Sequence, residues 1–138
     1  MDNIALAKSI FQAEDFQPLL DRLADDVVFK ATIPESTPIS GEFRGKRAVI
    51  GYFATLGEVA TFRQEEPLEF FGDCERVVVL GDDSFEIKKS GTTARSEYAI
   101  VVDFRDGLIT SILIIQDLSA IADAYRTDSR GGHGAAGG

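Results

Sequence analysis

The stretch Ser96-Glu-Tyr-Ala-Ile-Val-Val-Asp-Phe-Arg-Asp-Gly-Leu-Ile109 decides how this chain is read. β-Branched and aromatic residues dominate it up to Phe104, stop at Arg105-Asp106-Gly107, and resume through Gln116. Residues of that kind favour a pleated strand, and Asp-Gly favours a tight turn, so the stretch predicts a hairpin of strands 93–104 and 108–116. Working outward, Ser90-Gly91 separates this hairpin from a long apolar run at 75–89, and Gly72-Asp73 separates that from a strand at 61–70. Gly81, in the middle of the long strand, predicts a bulge or bend.

Upstream the period changes from two to helical. Ile4, Ala7 and Phe11 mark a helix over 3–13. Phe16, Leu19, Leu20 and Leu23 mark a second, with Asp15 as cap, Pro18 in the first turn and Asp25-Asp26 at its end. Val27 to Ile33 reads as a strand closed by Pro34, and 35–45, rich in Pro, Ser, Thr and Gly, as a loop. Val49, Tyr52, Phe53 and Leu56 share one face of a third helix over 46–58, and a short helix closes the pattern at 118–126. Helices first and a run of antiparallel strands later predict an α+β fold, a curled, mainly antiparallel sheet wrapped around the N-terminal helices.

The 138 residues suit one domain, expected over 1–128, with 129–138 a disordered Gly-rich tail. With 14 basic and 23 acidic residues the formal charge is −9, which argues against nucleic acid and against an anionic membrane surface as partners. A single cysteine, Cys74, precludes an intramolecular disulfide and disfavours a thiolate metal site. The start Met1-Asp2-Asn3 has no signal-peptide pattern and no run spans a membrane, so a cytoplasmic location is expected. The only histidine, His133, lies in the tail, so the commonest general base is missing from the folded part.

Four segments together resemble a known superfamily. They are Asp15 to Asp26 leading into Val27-Val28-Phe29; Ile39 to Phe53, with a Gly-x-x-x-Gly loop opening the third helix; Ser96 to Ile109; and Ile114-Ile-Gln-Asp-Leu118. The chain resembles, over 3–126, the nuclear-transport-factor-2-like superfamily, which includes ketosteroid isomerases, limonene epoxide hydrolases and SnoaL-type polyketide cyclases. The resemblance implies a cone-like half barrel around an apolar pocket. It does not carry over either of two known catalytic sets. The ketosteroid isomerase positions fall on Ala31 and near Ala7 and Ile100. The epoxide hydrolase positions fall on Gly81, Asp83 and Ile114, of which only Asp83 is a match.

If Ala31 and Ile114 occupy family active-site positions, strand alternation assigns the pocket-facing residues. On the first strand they are Phe29, Ala31 and Ile33, and on the long strand Asp83, Phe85 and Ile87. The next strand gives Ser96, Tyr98, Ile100 and Val102, and the last Ile112, Ile114 and Gln116; Phe53 and Leu56 come from the third helix. Such a wall suits an apolar small molecule. Asp83 is the candidate proton-transfer group, since a carboxylate facing an apolar cavity has a raised pKa; the alternative, which the turn-forming residues favour, is that Gly81-Asp82-Asp83 is a solvated bend with Asp83 pointing out. Tyr98 and Gln116 are candidates to bind a substrate oxygen, or else core and rim residues. Asp117 reads as a helix cap and Glu35 as a solvated loop acid. Ala99, Val101, Leu113 and Ile115 make the other sheet face apolar too, which predicts a homodimer. Two functions follow: a small enzyme of isomerase, cyclase or hydrolase type, working without metal or redox cofactor, or a non-catalytic ligand binder or dimeric scaffold.

Overall fold

The computed structural model describes residues 2–32, 37–73 and 75–125. Two helices open it, α1 (Asn3–Phe11) and α2 (Gln17–Leu20), followed by β1 (Leu23–Ala31), β2 (Glu42–Arg44) and α3 (Lys46–Val59). Then come β3 (Ala60–Gln64), β4 (Glu69–Gly72), β5 (Arg76–Ile87), β6 (Thr93–Arg105) and β7 (Leu108–Gln116). The described residues end in a helical segment over 119–125. The fold is the expected α+β arrangement. Seven strands form one sheet, ordered β2-β1-β7-β6-β5-β3, with β4 also paired to β5. All pairings are antiparallel except β1 with β7, which run parallel because α3 and the meander lie between them in sequence.

The β6–β7 hairpin turns where Asp106 and Gly107 both have positive φ, 54° and 77°. That is the backbone of the two-residue turn that Asp-Gly favours. The long β5 meets two partners in succession. β4 pairs with its first half through Val77 to Leu80, and β3 with its second half through Asp83 to Ile87. The single strand expected at 61–70 is therefore two strands. Pro67, which has no N–H to donate, lies in the gap between them.

Three other expectations are corrected. The second helix is a single turn, and Asp25-Asp26 lie inside β1 rather than at a helix end. Pairing with β7 shifts register between Leu23 and Val28, so an irregularity in β1 carries both exposed acids outward. The loop at 35–45 contains the short edge strand β2. There Phe43 pairs with Phe29, and Glu42 forms ion pairs with Lys30 at 3.3 Å and with Arg44. Gly81 is not a bulge, because β5 and β6 stay in register from Arg76 to Glu86.

The core lies between the concave face of the sheet and the helices. From α3 it takes Val49, Tyr52, Phe53, Leu56 and Val59, which recur every three or four residues and so share one face. Fully buried Phe29 sits at its centre, with ring centroids 4.0 Å from Tyr52 and 5.5 Å from Phe53. Among the described residues no helix is long and apolar enough to cross a membrane.

Candidate functional site

The inward face of β5 carries Val77, Val79, Gly81, Asp83, Phe85 and Ile87. The four apolar residues are buried; Gly81 and Asp83 between them are only partly so. At that break the core opens into a cavity of about 240 Å³. Phe53, Leu56, Ile100, Ile112 and Ile114 give it apolar walls, and Phe11, Phe16 and Leu19 from the α1–α2 region cover one side. Asp83, Tyr98, Gln116 and Gln64 supply polar groups.

Sheet register explains why these four meet. Gln64 pairs with Asp83 across β3–β5, Tyr98 with Gly81 across β5–β6, and Tyr98 with Gln116 across β6–β7. Tyr98 and Asp83 are thus diagonal neighbours on one face. The missing side chain at Gly81 makes room for the tyrosine. A Cβ there would fall 2.2 Å from Tyr98 Cζ and 2.3 Å from its hydroxyl oxygen. The position needs a close approach rather than an unusual backbone angle.

Gln116 Nε2 donates to Asp83 Oδ1 at 2.6 Å. Burial pushes the Asp83 carboxyl up from 3.8 to about 6; the Gln116 bond opposes this and the Asp82 charge adds to it. Burial, with the charges of Asp83 and Asp82, raises the Tyr98 phenol to about 12, so it stays a neutral donor. Burial also raises the Tyr52 phenol, on the cavity wall. Asp82 points to the opposite sheet face, where Arg95 grips its carboxylate through Nε at 3.0 Å and Nη2 at 2.9 Å. Adjacent acids therefore have opposite environments: Asp82 is held below the ordinary carboxylate range and Asp83 is raised. A half-buried carboxyl that titrates near neutrality can accept and return a proton.

Of the residues expected to face the pocket, Phe53, Leu56, Asp83, Tyr98, Ile100, Ile112, Ile114 and Gln116 line the cavity. Phe29, Ala31, Phe85, Ile87, Ser96 and Val102 do not. Phe29, Phe85, Ile87 and Val102 are buried packing residues, with the Phe85 ring tilted against Phe62 at a centroid distance of 5.2 Å. Ala31 packs against that core. Ser96 bonds at the end of the sheet, donating to Glu97 O at 2.8 Å and accepting from Asp117 N at 3.3 Å. Alternation gives the face of a side chain but not whether helices cover it, and that distinction separates core from cavity. Asp117 Oδ1 accepts from Ser119 N at 3.0 Å at the start of the last helical segment, as a cap does. Ile33, Glu35, Cys74 and His133 lie outside the described residues.

Tyr52, Phe62, Gln64, Leu118 and several residues between Ile10 and Leu19 also line the cavity, and the sequence reading assigned them no part in it. Gln64 was within reach, since it follows from pairing the 61–70 strand with the long one and counting by twos from Phe62. Among the described residues no group of three or more His, Cys, Asp or Glu is placed to hold a metal ion.

A curled, unclosed sheet with N-terminal helices over an apolar, carboxyl-bearing cavity defines a class, and the comparisons name it. The SnoaL-like domain profile matches residues 6–112, and the chain belongs to that family. An NTF2-like protein from Burkholderia xenovorans superposes with a TM-score of 0.77 at 28% identity, covering 89% of this chain and 95% of that one. TerC, crystallised with polyporic acid, gives 0.66 at 23% identity, with 90% and 94% covered. A candidate polyketide cyclase from Xanthomonas campestris gives 0.70 at 18% identity, with 89% and 99% covered. The last two likenesses concern the fold alone. No curated protein matches the chain.

Proposed function

We propose that this protein is a small acid/base enzyme of the isomerase, cyclase or hydrolase type, acting on an apolar small molecule in the cavity. The observation that carries the reading is the Asp83 carboxyl, set in an apolar wall, held by Gln116 at 2.6 Å and raised to about 6. Asp83 takes a proton from a substrate carbon, or from water, and returns it. Tyr98 donates its hydroxyl to the oxygen where charge develops, as donors aimed at developing charge do. Gln116 spends an amide N–H on Asp83, so it positions the carboxylate more than the substrate. Solved structures of the same fold described as a candidate polyketide cyclase and a candidate isomerase support the reading of small-molecule chemistry. A purely structural scaffold gives no reason to set a carboxyl without a countercharge in an apolar wall.

The test is proton exchange. A panel of apolar cyclic ketones and enones is incubated in D2O, and loss of the α-proton signal is followed by NMR. Wild type should accelerate exchange for at least one compound, and Asp83→Asn should lose about 100-fold or more of that rate. Equal exchange by the two proteins would remove Asp83 from the chemistry.

The convex sheet face supports a second proposal, that two copies pair through it. Leu80 is 36% and Ile115 46% exposed there, beside the half-buried Ala99, Val101 and Leu113. A contiguous apolar face of this kind is more often covered than left in water.

A further inference from the structure

We propose that the cavity discriminates against negative charge and takes a one- or two-ring ligand that is uncharged or cationic. The inference rests on the reading of the cavity as the ligand site and narrows it to a substrate class. Three carboxylates border the space: Asp83 within the wall, and Glu14 and Asp15 on the exposed turn between α1 and α2. Among the described residues, no lysine, arginine or histidine lines the cavity. Two cations of β5 and β6 are engaged on the other face or edge, Arg95 with Asp82 and Arg76 with Asp103 at 2.6 Å. The polar groups on the wall suit oxygen atoms rather than an anion. Tyr98 and the Gln64 amide are neutral donors, and one N–H of Gln116 is engaged by Asp83. An anion entering this space would leave water, meet like charge and find no countercharge, and each of these opposes binding. The chain's formal charge of −9 acts in the same direction at longer range.

Volume sets the size. A dry cavity of about 150 Å³ lined by Leu, Ile and Phe accommodates benzene. The 240 Å³ here, with similar apolar walls, therefore fits a molecule of one or two rings with an oxygen directed toward Tyr98.

The experiment is equilibrium binding of two probes alike in shape, 2-naphthol and 2-naphthoate, to the full chain at pH 7.5 and low salt, read by probe fluorescence. The naphthol should bind at least about tenfold more tightly than the carboxylate. Asp83→Asn should shrink that gap to less than about threefold, since the charge closest to the ligand is gone. Glu14→Gln/Asp15→Asn alters only exposed side chains. It should narrow the gap about two- to threefold, and about 0.5 M NaCl should do the same to wild type, because exposed charges are screened. Equal or tighter binding of naphthoate overturns the proposal. So does a gap that neither variant changes, and failure of both probes to bind refutes the size assignment. Neither probe needs turnover. Charge selection without proton exchange would therefore sink the enzymatic reading alone, and exchange without charge selection would sink this inference alone.

Discussion

Replacing Asp83 with asparagine should stabilise the protein, and only above a definite pH. The folded carboxyl titrates at about 6, against an ordinary 3.8, because burial disfavours its charged form. Below the ordinary value both folded and unfolded chains carry the proton and the site has no effect on stability. Between the two values the unfolded chain gives up its proton first, so stability falls as pH rises. Above about 6 the whole penalty is present. At 1.36 kcal/mol per pH unit the difference corresponds to about 3 kcal/mol. Because the carboxyl is only half-buried, screening by solvent reduces this to about 1–2 kcal/mol. Asparagine keeps the shape and the oxygen that accepts from Gln116, and it cannot ionise. Urea unfolding at pH 8 should therefore find Asp83→Asn more stable by about 1–2 kcal/mol, with a melting temperature about 3–8 °C higher. At about pH 3.5 the two curves should coincide. A variant as stable as wild type at pH 8, or less stable, would show that the carboxylate is not held at a cost and would remove the basis for its catalytic assignment.

The other predictions concern packing. Gly81→Ala should force the Tyr98 ring off its position, because the new Cβ lies 2.2 Å from Cζ. Since the far end of a side chain can swing away and alanine lowers unfolded-state entropy, stability should change by less than about 1 kcal/mol. Naphthol binding should weaken several-fold, and an unchanged affinity would mean that Tyr98 does not shape the site. Phe29→Ala should cost about 3–5 kcal/mol in chemical denaturation, since the ring is fully buried among three aromatic neighbours. Ile115→Asp should shift sedimentation equilibrium from dimer to monomer at micromolar concentration; a wild-type protein that is already monomeric there would refute pairing through this face.

Much of the fold was legible because its signals are local. Asp106-Gly107 fixes a hairpin, the face shared by Val49, Tyr52, Phe53 and Leu56 fixes a helix, and the alternation along β6 and β7 fixes which residues point inward. The errors fell where a non-local partner decides. Asp25 and Asp26 looked like a helix end, yet β7 draws them into a strand by absorbing them in a register shift. Glu42 to Arg44 carried no strand signal of their own and pair because β1 offers a free edge. Site residues followed the same division. Facing could be counted by twos, but which inward residues meet a cavity depends on how far α1, α2 and α3 reach over the sheet, and no short window records that.

The clearest trace of the cavity in the sequence is a broken rule. Along the inward face of β5 every position is a large apolar residue except Gly81 and Asp83, one lacking a side chain and the other carrying a charge. A valine or leucine at position 83 would continue the apolar row, and full burial of such a side chain is worth about 1.5–3 kcal/mol; at position 81 any side chain would first have to displace the Tyr98 ring. Instead the glycine leaves space that Tyr98 occupies from the neighbouring strand, and the aspartate sets a carboxyl where Gln116 can reach it. Each departure forgoes apolar burial on this face. Placed two residues apart on one strand, they let the Tyr98 ring lie across β5 and set its phenol and the Asp83 carboxyl on the cavity wall. Local departures from an otherwise consistent pattern concentrate at functional sites. Here the two departures fall on the same wall as the residues for which a chemical role is proposed, and the stability of Asp83→Asn across pH measures the cost of one of them directly.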